Sequence, residues 1–180
     1  MTDVAEQRTR CWLERWVIGQ NLCPFAGHPY REGRVRLACS EADDSDALFR
    51  FVLDEIDLLL DKSADEIETS VLIVENSLVN FDDYLDFLEL LQRVVDETNL
   101  TGVLQIASFH PDYCFEDVQA DDVSNYTNRS PYPLFHLIRE QSLEQALAHY
   151  PNPEQIPQRN IELLRDMGVH KVREYLANCD

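Results

Sequence analysis

Ser70–Val74, SVLIV, is an unbroken apolar run rich in β-branched residues and flanked by Glu68 and Glu75. Such a run predicts a strand covered on both faces. Working outward, residues 34–40, RVRLACS, alternate polar and apolar and predict a half-buried strand, and Val103–Phe109, VLQIASF, predicts a third. Amphipathic helices fall between them. One spans roughly 46–61, with Asp44 or Ser45 as N-cap and Leu48, Val52, Ile56, Leu59 and Leu60 on one face. The other spans about 82–98, with Tyr84, Phe87, Leu88, Leu91 and Val95 as its stripe. Asp82 and Asp83 suit the dipole at its start, and Asn99 and Gly102 mark its end. Strand, helix, strand, helix, strand predicts an α/β fold: a βαβαβ core over about 34–110 with a small, mainly parallel three-stranded sheet. A ferredoxin-like α+β sheet is the alternative, because three strands do not specify an order. In the parallel arrangement the loops after Cys39, Glu75 and Phe109 share the carboxyl edge, where open α/β sheets place their ligands.

Outside this core, residues 5–19 predict an N-terminal helix, with Trp12, Leu13, Trp16 and Val17 at helical spacing and Gly19 closing it. The Trp pair reads as core packing. Gln20–Ala26, QNLCPFA, is a loop, since Pro24 pushes Cys23 towards extended geometry. Towards the C-terminus, Pro131 and Pro133 suit the first turn of a helix carrying Leu134, Leu137 and Ile138. Ser142 with Gln145 resembles a capping box, Asn152–Gln155 reads as a further helix start, Gly168 as a stop, and Val169, Val172 and Leu176 as a last short helix. Residues 131–180 are therefore expected to be helical, and residues 1–180 to form one domain.

Fifteen Lys and Arg against 34 Asp and Glu give a net charge of −19. A surface of that sign repels phosphate backbones and anionic membranes, so neither nucleic acid nor a membrane is an expected partner. Lys occurs only at positions 62 and 171, so nearly all positive charge is Arg, whose fork suits carboxylates and phosphates. The opening MTDVAEQRTRCW has no apolar leader segment, which predicts a cytoplasmic protein. Five Cys, with no CxxC pair, predict reduced thiols with neither a disulfide framework nor a zinc ribbon.

Chemistry concentrates between Ala107 and Glu140, a long polar segment of the kind that compact domains rarely carry without a function. His110 follows a strand and precedes Asp112 and Cys114. In one reading Cys23 is a nucleophile, His110 or His136 its proton acceptor, and Asp112 or an Asn the group orienting the imidazole. In another, His110, Cys114, His136 and Cys23 form a mixed nitrogen–sulfur set suited to a Zn or Fe ion. The plainest alternative packs Cys23 between Leu22 and Phe25 as a small apolar residue. In Asn125–Pro133, NYTNRSPYP, the residues Asn128, Arg129 and Ser130 fall before the predicted helix, where free N–H groups favour an anion. His136 and Arg139, three residues apart, would share a face of that helix. The competing reading makes Asn128 or Ser130 a simple cap and pairs Arg129 with a carboxylate.

Taken together, NLCPFA, SFHPDY and NYTNRSPYPLFHLIRE resemble a bacterial family of unknown function, number 1415 of the domain-of-unknown-function series, over roughly Thr9–Leu176. The positions matching its motifs are Asn21, Cys23, Pro24, His110, Pro111, Asn125, Asn128, Arg129, Ser130, His136 and Arg139. The resemblance implies no activity.

The expectation is a small enzyme acting on an anionic small molecule by acyl or phosphoryl transfer or hydrolysis. Cys23, His110, His136 and Asp112 are its catalytic candidates. Asn21, Asn125, Asn128, Arg129, Ser130 and Arg139 are its binding candidates. There is no glycine-rich nucleotide motif. The alternatives are a metal- or ligand-binding module without turnover and an acidic protein-interaction module.

Overall fold

In a computed structural model, which describes residues 2–177 and 179, the chain forms a four-stranded mixed sheet between two helical layers. Helix α1 (Thr2–Trp12) runs directly into a π-helical turn, Leu13–Ile18, followed by the short α2 (Gly27–Arg31). Then come β1 (Val35–Ser40), α3 (Ser45–Asp61), β2 (Thr69–Val74), α4 (Phe81–Glu97) and β3 (Leu104–Phe109). A 3-10 turn at Val123–Thr127 leads to β4 (Leu134–Arg139), and α5 (Glu140–Ala148), α6 (Ile156–Met167) and α7 (Val169–Ala177) complete the chain. No helix among the described residues is long and apolar enough to cross a membrane.

The strand order is β1-β2-β4-β3. β1 pairs parallel with β2, whereas β4 lies antiparallel between β2 and β3. The three predicted strands therefore share one direction, but a fourth, opposed strand separates two of them. Leu134–Arg139 is this strand rather than the predicted start of a helix. Leu134 and Phe135, neighbours in sequence, are both fully buried, on opposite faces of the sheet. The spacing of Leu134, Leu137 and Ile138 suits a helix and a doubly covered strand equally. Three facts of chain direction decide it: Tyr84 donates to the Leu134 carbonyl at 2.8 Å, Val74 N–H to the Pro133 carbonyl at 3.0 Å, and β2 is otherwise left with an open edge. The helix begins only at Glu140, so Ser142 and Gln145 lie inside α5 and do not start one. The β-α-β-α-β-β order also departs from the ferredoxin-like alternative.

Helices α3 and α4 cover one face, where Leu48, Val52, Tyr84 and Leu91 meet Leu72, Phe135 and Leu137. The predicted stripes hold, with one exchange: Leu60 is exposed, and Glu55 is buried against Arg36 through two bonds of 2.7 Å. The other face is covered by both ends of the chain. Trp12, Trp16, Leu164 and Val172 pack there on Val71, Ile73 and Leu134. Each indole also reaches the polar segment, Trp12 donating to the Arg129 carbonyl at 3.0 Å and Trp16 to that of Tyr126 at 3.1 Å.

One feature of this second face matches the expectation and another overturns it. Gly19 ends the π-turn where a Cβ would sit 2.4 Å from the Arg15 carbonyl oxygen, so the turn requires glycine there. Cys11 of α1 is disulfide-bonded to Cys179, which overturns the expectation of five reduced thiols. Their Cα atoms lie 5.5 Å apart across a separation of 168 residues. Local spacing carries no information about such a contact, which exists only because both chain ends pack on one sheet face. Cys23, Cys39 and Cys114 are not disulfide-bonded.

Candidate functional site

Cys23 and His136 line one cavity of about 110 Å³, walled mainly by Leu13, Ile18, Pro29, Val71, Ile138 and Leu143. His136 stands on β4 opposite Val71 of β2. The Thr69 hydroxyl donates its single proton to the Leu137 carbonyl at 2.5 Å, so its 2.6 Å contact with His136 Nε2 has the ring N–H as donor. That fixes the tautomer. Nδ1 is left as the basic nitrogen, with no hydrogen bond among the described residues. Desolvation pushes the imidazole down to about 4, so it is neutral at pH 7.

Cys23 follows the π-turn and opens the bend into α2. Burial raises its thiol, while the backbone N–H groups of Phe25 and Ala26 and the charge of Arg159 act in the opposite direction. Arg159, from α6, reaches this loop by donating to the Asn21 carbonyl and to Tyr150 Oη at 3.0 Å. Thr69 and Val35 open their strands and Ile138 nears the end of the opposed β4. The cavity thus lies at the amino end of the parallel strands, the opposite end from the one that topology suggested.

The loops at the carboxyl edge do converge, but they bind one another. Glu75 N–H donates to the Ser40 carbonyl at 3.0 Å, Asn76 to that of Glu41 at 3.0 Å, and Ser77 to that of Ala42 at 3.0 Å. His110 is fully buried there, against Phe81 and Tyr84 at ring separations of 5.1 Å. Its Nδ1 accepts from Asp112 N–H at 3.0 Å, so Nε2–H donates to the Leu78 carbonyl at 3.0 Å. Both nitrogens are engaged and burial lowers the ring's pKa, which makes His110 a neutral bracket for two loops. The structure does not bring it to Cys23 or His136.

Most of the expected binding residues likewise serve the backbone. Asn125, fully buried, accepts from Phe115 N–H at 3.0 Å and donates to the Gln119 carbonyl at 2.8 Å. Asn128 donates to the Ser108 carbonyl at 3.0 Å, and Ser130 to that of Tyr132 at 2.6 Å. Arg139 spans the end of α3, bonding the carbonyls of Ile67 at 3.1 Å, Lys62 at 2.6 Å and Leu59. Asn21 sits in the left-handed region with φ 54°. The Cys114 thiol turns to the Val118 carbonyl at 3.3 Å. Arg129 is bonded to two carbonyls and stacked on Tyr126, and with Asp112 and Ser130 it lines a second cavity. With β4 a strand, no helix N-terminus follows Ser130, so the anion site argued from that terminus is withdrawn. His110, Cys114, His136 and Cys23 do not meet, and no three His, Cys, Asp or Glu groups converge as a metal site among the described residues.

Sequence reasoning missed Thr69 and Arg159. The predicted strand opens at Ser70, one residue past Thr69, and α6 carries no local sign that Arg159 reaches back to the Cys23 loop.

A mixed α/β sheet whose amino end holds a thiol and an imidazole in one apolar cavity defines the class of domain. The chain belongs to the family described as Protein of unknown function (DUF1415), whose model matches residues 4–174. No curated protein and no solved structure matches it.

Proposed function

We propose that the chain is a small acyl-transfer or hydrolytic enzyme whose reacting centre is the Cys23–His136 cavity. The observation that carries this reading is one cavity lined by both a thiol and an imidazole whose tautomer Thr69 fixes. This is the nucleophile, base and orienting group of covalent catalysis. Cys23 Sγ attacks the substrate carbonyl carbon, its proton passes to His136 Nδ1 and then to the leaving group, and water releases the acyl group from the thioester.

The lining favours acyl over phosphoryl chemistry, because a phosphate dianion would be desolvated beside aliphatic side chains and a neutral ring. An anionic substrate keeps its charge outside the cavity, towards Arg159. At rest thiol and imidazole are both neutral. Moving a proton from a thiol held above its ordinary range to a ring near 4 costs upward of about 7 kcal/mol. A turnover of roughly one per second tolerates a barrier of about 17 kcal/mol, so that cost is compatible with catalysis but not with a resting thiolate. The same neutral ground state favours the second reading, a small-molecule binding module without turnover.

The test is incubation with p-nitrophenyl butyrate followed by intact-mass and peptide analysis. The enzyme reading expects a butyryl adduct on Cys23 and release of nitrophenolate, both absent in Cys23→Ala and strongly slowed in His136→Leu. Saturable, competitive binding of the ester with no adduct on Cys23 supports the binding module and overturns the enzyme.

A further inference from the structure

The second cavity, about 350 Å³, is lined by Asp112 and Arg129 together with Trp12, Tyr126, Pro111 and Leu176. It lies near the start of β4, whereas His136 and Ile138 face the Cys23 cavity towards its end. The Arg129 guanidinium is held in place: Nε donates to the Tyr113 carbonyl at 3.1 Å, Nη2 to that of Ala120 at 2.8 Å, and its carbon lies 4.5 Å above the Tyr126 ring. Of five N–H groups, these bonds use Nε–H and one on Nη2. Nη1 keeps both its N–H groups without a partner among the described residues, which leaves that end of the guanidinium open to a carboxylate. Asp112 is fixed by its backbone bond to His110, yet its carboxylate has neither a hydrogen bond nor an ion pair among the described residues. Opposite charges thus line one cavity without pairing.

We propose that this cavity binds a free α-amino acid with an apolar side chain, its carboxylate on the free end of Arg129 and its ammonium on Asp112. A simple anion is a poorer match, because Asp112 repels it in a chain whose net charge is already −19. A zwitterion satisfies both charges and leaves its side chain against Trp12, Tyr126 and Leu176. This site is independent of the acyl-transfer reading.

The experiment is calorimetric titration of the full chain with L-leucine, isocaproate, which lacks the ammonium, and isoamylamine, which lacks the carboxylate. Saturable leucine binding is expected, with each analogue weaker by at least about tenfold, the loss typical of one charge-assisted contact. Arg129→Ala would release two loop carbonyls, so Asp112→Asn is the decisive variant: it is expected to weaken leucine by about tenfold or more while the urea midpoint stays unchanged. Alkylation of Cys23 is expected to leave leucine binding intact. No saturable binding of leucine up to about 10 mM overturns the proposal, as does equal affinity for leucine and isocaproate. Loss of binding on Cys23 alkylation with Asp112→Asn silent would assign the ligand to the other cavity and overturn it as well.

Discussion

Reduction of the Cys11–Cys179 bond, or Cys11→Ser, is expected to cost this protein more stability than most single changes. The bond closes a separation of 168 residues, so it restrains the unfolded chain almost end to end. In the chain-entropy treatment a closed loop of that length removes about 17 cal/mol/K from the unfolded state, or about 5 kcal/mol at 25 °C. Little is lost on the native side, because α1 and α7 keep their apolar contacts with the sheet through Ala5, Trp12 and Val172. With a urea slope of about 2 kcal/mol/M for a chain of this size, the midpoint should fall by about 2.5 M. Trp12 and Trp16, both 1% exposed, lie on the same sheet face, so indole fluorescence reports its unfolding. The assay is urea denaturation of oxidised protein with and without a phosphine reductant, alongside Cys11→Ser and Cys179→Ser. Three labelled thiols in the unreduced, unfolded chain and five after reduction would establish the bond independently. Coincident curves with and without reductant, in protein shown by mass to carry the bond, would refute the entropic argument. Five labelled thiols without reductant would refute the bond.

Burial holds His136 near 4, below the ordinary imidazole range, so between about pH 6.5 and 4 the unfolded chain takes up a proton that the native one refuses. Stability should therefore fall with pH across that window by at most about 3 kcal/mol from this ring, and urea titrations should show a shallower fall in His136→Leu. Iodoacetamide labelling of Cys23 should keep accelerating through pH 9, since burial raises the thiol, and should outpace Cys39, held at about 11; a plateau below pH 8 would count against the buried thiol. Gly19→Ala should cost about 1–3 kcal/mol in urea denaturation, because its methyl group meets the Arg15 carbonyl. Arg139→Gln should lose about 3 kcal/mol by the same measure, since it caps the end of α3, and should leave butyryl transfer to Cys23 unchanged.

Much of the sheet was legible because its signals are local. SVLIV announces a doubly covered strand wherever it sits, and the stripes on α3 and α4 each name their own buried face. β4 was not legible for a specific reason. LFHLIR has apolar residues at both helical and strand spacings, and only the open edge of β2 and the hydroxyl of Tyr84 choose between them. That single ambiguity moved the site. A helix after Ser130 would have aimed its N–H groups at Arg129, whereas a strand carries His136 to the far end of the sheet, beside Thr69 and Cys23.

The polar segment misled for a second reason, one of direction rather than composition. A loop of this length that crosses a sheet edge has many backbone groups to satisfy, and burying them unpaired would cost far more than any one side chain contributes. Asn125, Asn128, Ser130 and Arg139 are spent on that task, and His110 uses both ring nitrogens on it. Side-chain polarity therefore reports how much bonding capacity a segment holds, not whether any is left for a ligand. Among the side chains of this segment that line a cavity, what remains after the backbone is served is the free end of Arg129, the Asp112 carboxylate, and His136 Nδ1. Those residues are where binding or chemistry has room to occur, and the variants proposed above act on them directly.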